Sequence, residues 1–204
     1  MNISKIPNQI IKEPLQPLNL KNVDSIALHH TAHPTADVKT VEGWHINQGW
    51  RAFGYNFFVA FDGTVYEGRG FNMGAGVENQ NGHIISIGFQ GDYHSKDRVM
   101  PDAQFNAGVD IIKYVMEKVP TIKQIGGHKD YMATACPGKY FPLSEMKTLK
   151  KRVGELTSIN DIVWEFAHRG IITDINLWLK KLETDKNAYW LARKTINYIR
   201  SNGL

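Results

Sequence analysis

The sequence predicts an α/β fold: a central mixed sheet flanked by helices, followed by a small C-terminal three-helix bundle. From residue 24 to about 152, short runs rich in branched and aromatic residues alternate with longer segments of helical apolar spacing. Asp62-Gly63, between two such runs, is a strong short hairpin signal. Beyond Gly154 the strand signals stop and three helical patterns follow. A chain of 204 residues holds one ordinary domain plus a small appendage. The expected division is 1–154 and 155–204.

Residues 1–22 carry Pro7, Pro14 and Pro17, which predict an extended lead-in anchored by Ile6, Ile10, Ile11 and Leu15. Ser25 to His30 reads as a strand ending in the polar cluster His29-His30-Thr31-Ala32-His33. Val38, Val41 and His45 recur at helical spacing and predict a helix over 37–48, closed by Gly49. Two strands, 54–61 and 64–68, flank Asp62-Gly63, and a further strand spans 84–90 after a Gly- and Asn-rich loop. Phe105, Val109, Ile112 and Met116 mark a long helix, and 122–125 is a short strand leading into His128. A helix over 141–152 has Pro142 in its first turn and Gly154 at its end.

In the appendage, the helical patterns are Ile159 to Phe166, Ile175 to Leu182 and Ala188 to Ile199. Ser158, Thr173 and Asp185 suit N-caps, and Gly170 and Gly203 suit ends. About fifty residues is near the lower limit of independent stability, so docking or self-association of the bundle is expected.

A net charge of +4 favours acidic partners without choosing among them. No basic run with interleaved aromatics occurs, which argues against nucleic-acid binding. No run of eighteen apolar residues predicts a membrane span, and the first residues lack a secretory h-region. The expected starting compartment is the cytosol.

Chemistry concentrates between Gly126 and Gly138, which holds His128 and the single cysteine, Cys136. A lone cysteine has no intramolecular disulfide partner, which leaves inert packing, a nucleophile or a metal ligand. With zinc, two protein donors would need a third, and the His29-His30 pair is the obvious source. Strand alternation puts Ile26, Leu28 and His30 on one face and Ala27 and His29 on the other, so His29 should face the open side. Isolated histidine pairs are more often structural than metal-binding.

Five ordered stretches resemble the zinc-dependent type 2 N-acetylmuramoyl-L-alanine amidases, which include phage endolysins and animal peptidoglycan recognition proteins. They are Leu28-His29-His30-Thr31-Ala32, Trp44-His45 through Gly54-Tyr55-Asn56-Phe57, Asp62 through Gly70, Ser86-Ile87-Gly88, and Gly127-His128 to Cys136-Pro137-Gly138. Together they cover about residues 23–150. The resemblance implies an amidase-like fold and a Zn2+ ion on His29, His128 and Cys136. It implies Tyr55 beside the metal and Thr134 near the scissile carbonyl as catalytic residues. Arg69 and Phe71 match a peptide-contacting stretch.

Two departures stand out: Gln90 occupies the place where several bacterial and phage members carry a glutamate base, and Gly76 replaces a histidine found in many relatives. The implied partner is bacterial peptidoglycan. The implied activity is hydrolysis of the bond between N-acetylmuramic acid and L-alanine, by an endolysin held in the host cytoplasm until the membrane is permeabilised and then acting at the wall. A bacterial autolysin or a non-catalytic peptidoglycan-binding protein is the alternative. The terminal helices resemble wall-targeting modules by position, with Trp164, Trp178, Tyr189 and Trp190 as stacking or core residues. A homo-oligomer formed through them stays open.

Overall fold

A computed structural model describes residues 2–152 and 159–201. The chain divides into two compact units, Met1–Lys151 and Arg152–Leu204. The first is built on a six-stranded sheet with strands β1 (Ser4–Lys5), β2 (Ser25–His30), β3 (Phe57–Val59), β4 (Val65–Glu67), β5 (Ile84–Phe89) and β6 (Gln124–Gly127). Their spatial order is β1-β4-β3-β5-β2-β6. Only β3 and β4, the arms of the Asp62-Gly63 hairpin, pair antiparallel. All other neighbours are parallel, so β2 at the sheet interior is covered on both faces and every residue from Ser25 to His30 is buried.

Alternation divides the sheet's two sides. Ile26, Leu28, Phe57, Val59, Ile85, Ile87 and Phe89 form the main core with Phe105, Val109, Ile112 and Val115 of helix α2 (Asp102–Lys118). Gly108 of α2 lets that helix close on the sheet, because a Cβ there would lie 2.6 Å from the Phe89 ring. On the other side, Val38 and Val41 of helix α1 (Val38–Asn47) pack with Ile6, Phe53 and Phe58. The Asp37 side chain caps α1 by accepting from the Thr40 amide at 2.8 Å.

The lead-in follows the domain through β1 and two isolated bridges, Ile11 to Ala52 and Pro17 to Asn72. Its anchors differ from expectation. Ile6 and Leu18 are buried, whereas Ile10 and Ile11 are exposed because that stretch is held by backbone bonds at the surface. Strand β3 is also shorter than predicted: Gly54 to Asn56 forms a loop that wraps the site. The helix expected over 141–152 is a single turn, α3 (Leu143–Met146), after which Leu149 turns with positive φ.

The second unit comprises α4 (Ile159–His168), α5 (Ile175–Thr184) and α6 (Lys186–Ser201). Its core joins Ile162, Val163, Phe166, Ile172, Leu182, Ala192 and Ile196. Asp174, one residue after the expected Thr173, caps α5. Trp178 and Tyr189 pack against this core, whereas Trp190 is 60% exposed. The Trp164 side chain, Gly154, Ser158 and Gly203 lie outside the described residues.

One buried side chain ties the sheet to the site loops. Asn56 donates to the carbonyls of Gly70 (2.7 Å) and Asn72 (2.8 Å) and accepts from the Ser86 amide (2.9 Å). Replacing it with Ala orphans all three groups, and each buried orphan costs about 1–3 kcal/mol. Asn56→Ala is therefore expected to lower the urea midpoint of the first unit by the equivalent of roughly 3 kcal/mol or more. An unchanged midpoint would refute the assigned clamp.

Candidate metal centre and active site

The site forms where parallel strands end, the usual place for a ligand in an open α/β sheet. Pairing of β2 with β6 sets Leu28 beside Gly127, so the next residues, His29 and His128, emerge side by side with ring centroids 4.5 Å apart. Cys136 returns to them on the loop after β6. That loop is fixed by Lys129 N donating to Cys136 O (2.8 Å), Cys136 N donating to Thr134 Oγ1 (3.2 Å) and Gly138 N donating to Ala135 O (2.8 Å). Gly138 adopts φ 99° with the Tyr93 carbonyl where a Cβ would project, 2.5 Å away, so the turn requires glycine.

His29, His128 and Cys136 each bring one donor atom, and these atoms lie within 4.8 Å of one another. His29 presents Nδ1 to the Cys136 Sγ at 3.9 Å. The Nε2 atoms of both histidines are buried without a hydrogen-bond partner. Two imidazoles and a thiol whose donor atoms converge this closely, with His29 turning Nδ1 to the thiol, fit a zinc ion. No further His, Cys, Asp or Glu joins the group among the described residues, so the donor set is that of an open rather than a closed site.

Burial holds both imidazoles neutral, the form that ligates: desolvation pushes the pKa of His29 well below its ordinary value, reinforced by His128 and His30, and lowers that of His128. The same burial pushes the Cys136 thiol up to about 11. His30 faces the main-core side, accepts from the Tyr93 amide through Nδ1 at 3.0 Å and is lowered to about 4 by desolvation. The expected open side is absent. His29 is only 2% exposed, because Tyr55, His128 and the Gly76 loop cover it.

Tyr55 stacks over the sheet at Gly88. A Cβ at Gly88 would lie 2.4 Å from the Tyr55 ring, so the glycine gives the ring room beside His29, 5.1 Å between centroids. Burial, then the neighbouring Cys136, raises the Tyr55 pKa, so its phenol stays protonated. His45 accepts from the Gly54 amide at 3.0 Å and stacks on Trp50, which fixes the backbone entering Tyr55. Its placement inside an amphipathic helix gave no sign of that role.

Thr134 and Cys136 line an open cavity of about 410 Å³ with His30, Ala32, Asp92, His94, Ser95 and Ala135. Arg69 and Phe71 are not among the residues that line this cavity. Arg69 is 7% exposed and donates to the carbonyls of Phe53 (2.6 Å), Met73 (3.0 Å) and Ala52 (3.3 Å), lining a smaller cavity of about 140 Å³ with Arg51. Phe71 packs edge-on against Phe57. Gln90 accepts from the Phe61 amide at 3.1 Å, which uses its side-chain oxygen for structure.

Residues 19–139 match the family model of N-acetylmuramoyl-L-alanine amidase, more than half of the chain. The chain belongs to that amidase family. Among curated relatives, peptidoglycan-recognition protein SC2 of Drosophila simulans is 32% identical over 123 residues, 54% of this chain and 66% of its own length. Peptidoglycan-recognition protein SC1a of Drosophila melanogaster is 33% identical over 125 residues, 55% of this chain and 66% of its own. The amidase-family chain thus spans just under two thirds of the length of these relatives. Of solved structures, the endolysin amidase LysCS of Clostridium intestinale superposes with a TM-score of 0.65 at 26% identity, covering 72% of this chain and 93% of its own. Bumblebee PGRP-SA gives 0.64 at 26%, covering 74% and 97%. No helix among the described residues of this amidase-family chain is long and apolar enough to cross a membrane.

Purified chain is expected to carry about one zinc. His29→Ala, His128→Ala and Cys136→Ser should each weaken zinc binding by more than the about 10–100-fold typical of losing an outer hydrogen-bond partner. His30→Ala should retain the metal. Elemental analysis with a chelator competition checks this, and full zinc content in Cys136→Ser would refute the donor set.

Proposed function

We propose that the chain is a zinc-dependent N-acetylmuramoyl-L-alanine amidase that hydrolyses the amide between the lactyl group of N-acetylmuramic acid and L-alanine of the stem peptide. The observation that carries this is the convergence of His29, His128 and Cys136 beside Tyr55, with no fourth protein donor among the described residues. Zinc held there supplies Lewis acidity and brings the pKa of water toward neutrality.

The chain's own residues supply the rest. The Tyr55 phenol keeps its proton and can donate a hydrogen bond to the oxygen that gains charge as the amide carbonyl is attacked. The Thr134 oxygen already accepts from the Cys136 amide, which leaves its hydroxyl proton for the scissile group. The cavity in front of Thr134 and Cys136 gives the substrate its approach. Gln90 cannot take a proton at the position of the glutamate base, so proton transfer rests on the groups around the three donors. Arg69 and Phe71 support substrate contact by holding the loops that frame Tyr55 and the Gly70 segment.

The wall of a Gram-positive host is the proposed target and an endolysin the proposed role, supported by the likeness to LysCS. In the second unit, exposed Leu177, Trp190, Leu191 and Tyr198 support a wall-contact or self-association surface.

Incubation with purified cell walls should free the L-alanine amino termini of stem peptides from the glycan. Tyr55→Phe should lower kcat by about 10²–10³, the loss expected for one oxyanion donor, with zinc content unchanged. Walls bound without any new amino termini would make the chain a binding protein and refute the amidase reading.

A further inference from the structure

Ser86 lies two residues before Gly88 on β5, paired with Ala27 while Gly88 pairs with His29, so it shares the sheet side of the candidate metal centre. Its backbone is locked: Asn56 Oδ1 accepts from the Ser86 amide, and the Asn56 amide donates to the Ser86 carbonyl at 2.9 Å. The hydroxyl, by contrast, is buried with no hydrogen-bond partner, and so is Nε2 of His29. Both orphans flank one spot. A Cβ on Gly76 would come 2.5 Å from Ser86 Oγ and 3.2 Å from His29 Nε2, so glycine leaves open the space between them.

A buried imidazole N–H and a buried hydroxyl each lose free energy when unpaired, and a single water or a small rotation of the hydroxyl satisfies both. The orientation of His29 makes that pairing consequential, because its other nitrogen, Nδ1, faces Cys136 Sγ at 3.9 Å. A ring nitrogen ligates only when it carries no proton, and the partner of the opposite nitrogen decides where the proton sits.

We infer that Ser86 is a positioning residue for His29: its hydroxyl, directly or through one water beside Gly76, accepts the Nε2 proton and thereby holds the Nδ1 lone pair toward the metal position. Gly76 serves the same end by admitting no side chain into that contact. This assignment rests on the reading of His29 as a metal ligand, but the tautomer itself exists without metal. Ser86 touches no substrate in this account and acts only through His29.

The test uses the metal-free full chain labelled with ¹⁵N-histidine, with the His29 resonances assigned by comparison with His29→Gln. Wild type is expected to show His29 as the Nε2–H tautomer, and Ser86→Ala to show a mixture or the Nδ1–H form. Zinc affinity, read by competition with a chromophoric chelator, should fall about 10–100-fold in Ser86→Ala. The thermal midpoint should fall slightly, because the substitution leaves the buried His29 Nε2–H without its acceptor. Ser25→Ala, which deletes another buried hydroxyl of the same sheet, should leave zinc affinity unchanged. An identical Nε2–H tautomer in wild type and Ser86→Ala overturns the inference, as does an Nδ1–H wild type. A tautomer that shifts from wild type to Ser86→Ala, with no zinc affinity in wild type, upholds the Ser86 contact and fails the metal reading alone.

Discussion

The parallel register that places Leu28 of β2 beside Gly127 of β6 is the constraint on which the site depends. It delivers His29 and His128 from strands about a hundred residues apart to adjacent positions at one sheet end, with no loop having to reach for them. A slip of one residue would turn His29 to the α2 side and bring His30 round in its place. The register is secured by burial on both faces: Ile26 and Leu28 lock into the core below while Ala27 packs with Val77 and Ile84 above. Packing energy thus fixes the geometry of the chemistry.

Burial has a second consequence. The groups that converge are held in their uncharged forms, imidazoles by desolvation and the thiol by the same cause acting in the opposite direction. Uncharged donors of this kind suit a divalent cation, which would displace the thiol proton and take up ring lone pairs. Close-approach glycines make the arrangement possible. Gly88 admits the Tyr55 ring, Gly76 the Ser86 hydroxyl and Gly138 the turn behind Cys136.

Much of this was legible in the sequence. Alternation in Ser25–His30 separates His29 from His30 without any knowledge of the fold, and the Asp-Gly hairpin and the α2 periodicity read directly. What local pattern cannot supply is contact between distant strands. The use of His45 and Ser86 comes from such contacts, although the two-residue spacing of Ser86 and Gly88 does put them on one face. Arg69 is the reverse case: the family resemblance implies a peptide contact, whereas its three guanidinium bonds to backbone carbonyls have no signature in the local pattern. The over-long helix at 141–152 arises because helical signals report what a segment could form, and the exposed Ile10 and Ile11 because apolar side chains in an extended lead-in are buried only where tertiary packing receives them.

X-ray absorption at the zinc edge of the metal-loaded chain tests the open three-donor centre most directly. The account requires one sulfur at about 2.3 Å, imidazole nitrogens at about 2.0–2.1 Å and one light atom not supplied by the protein. A shell without sulfur, or one with a fourth protein donor, would contradict it.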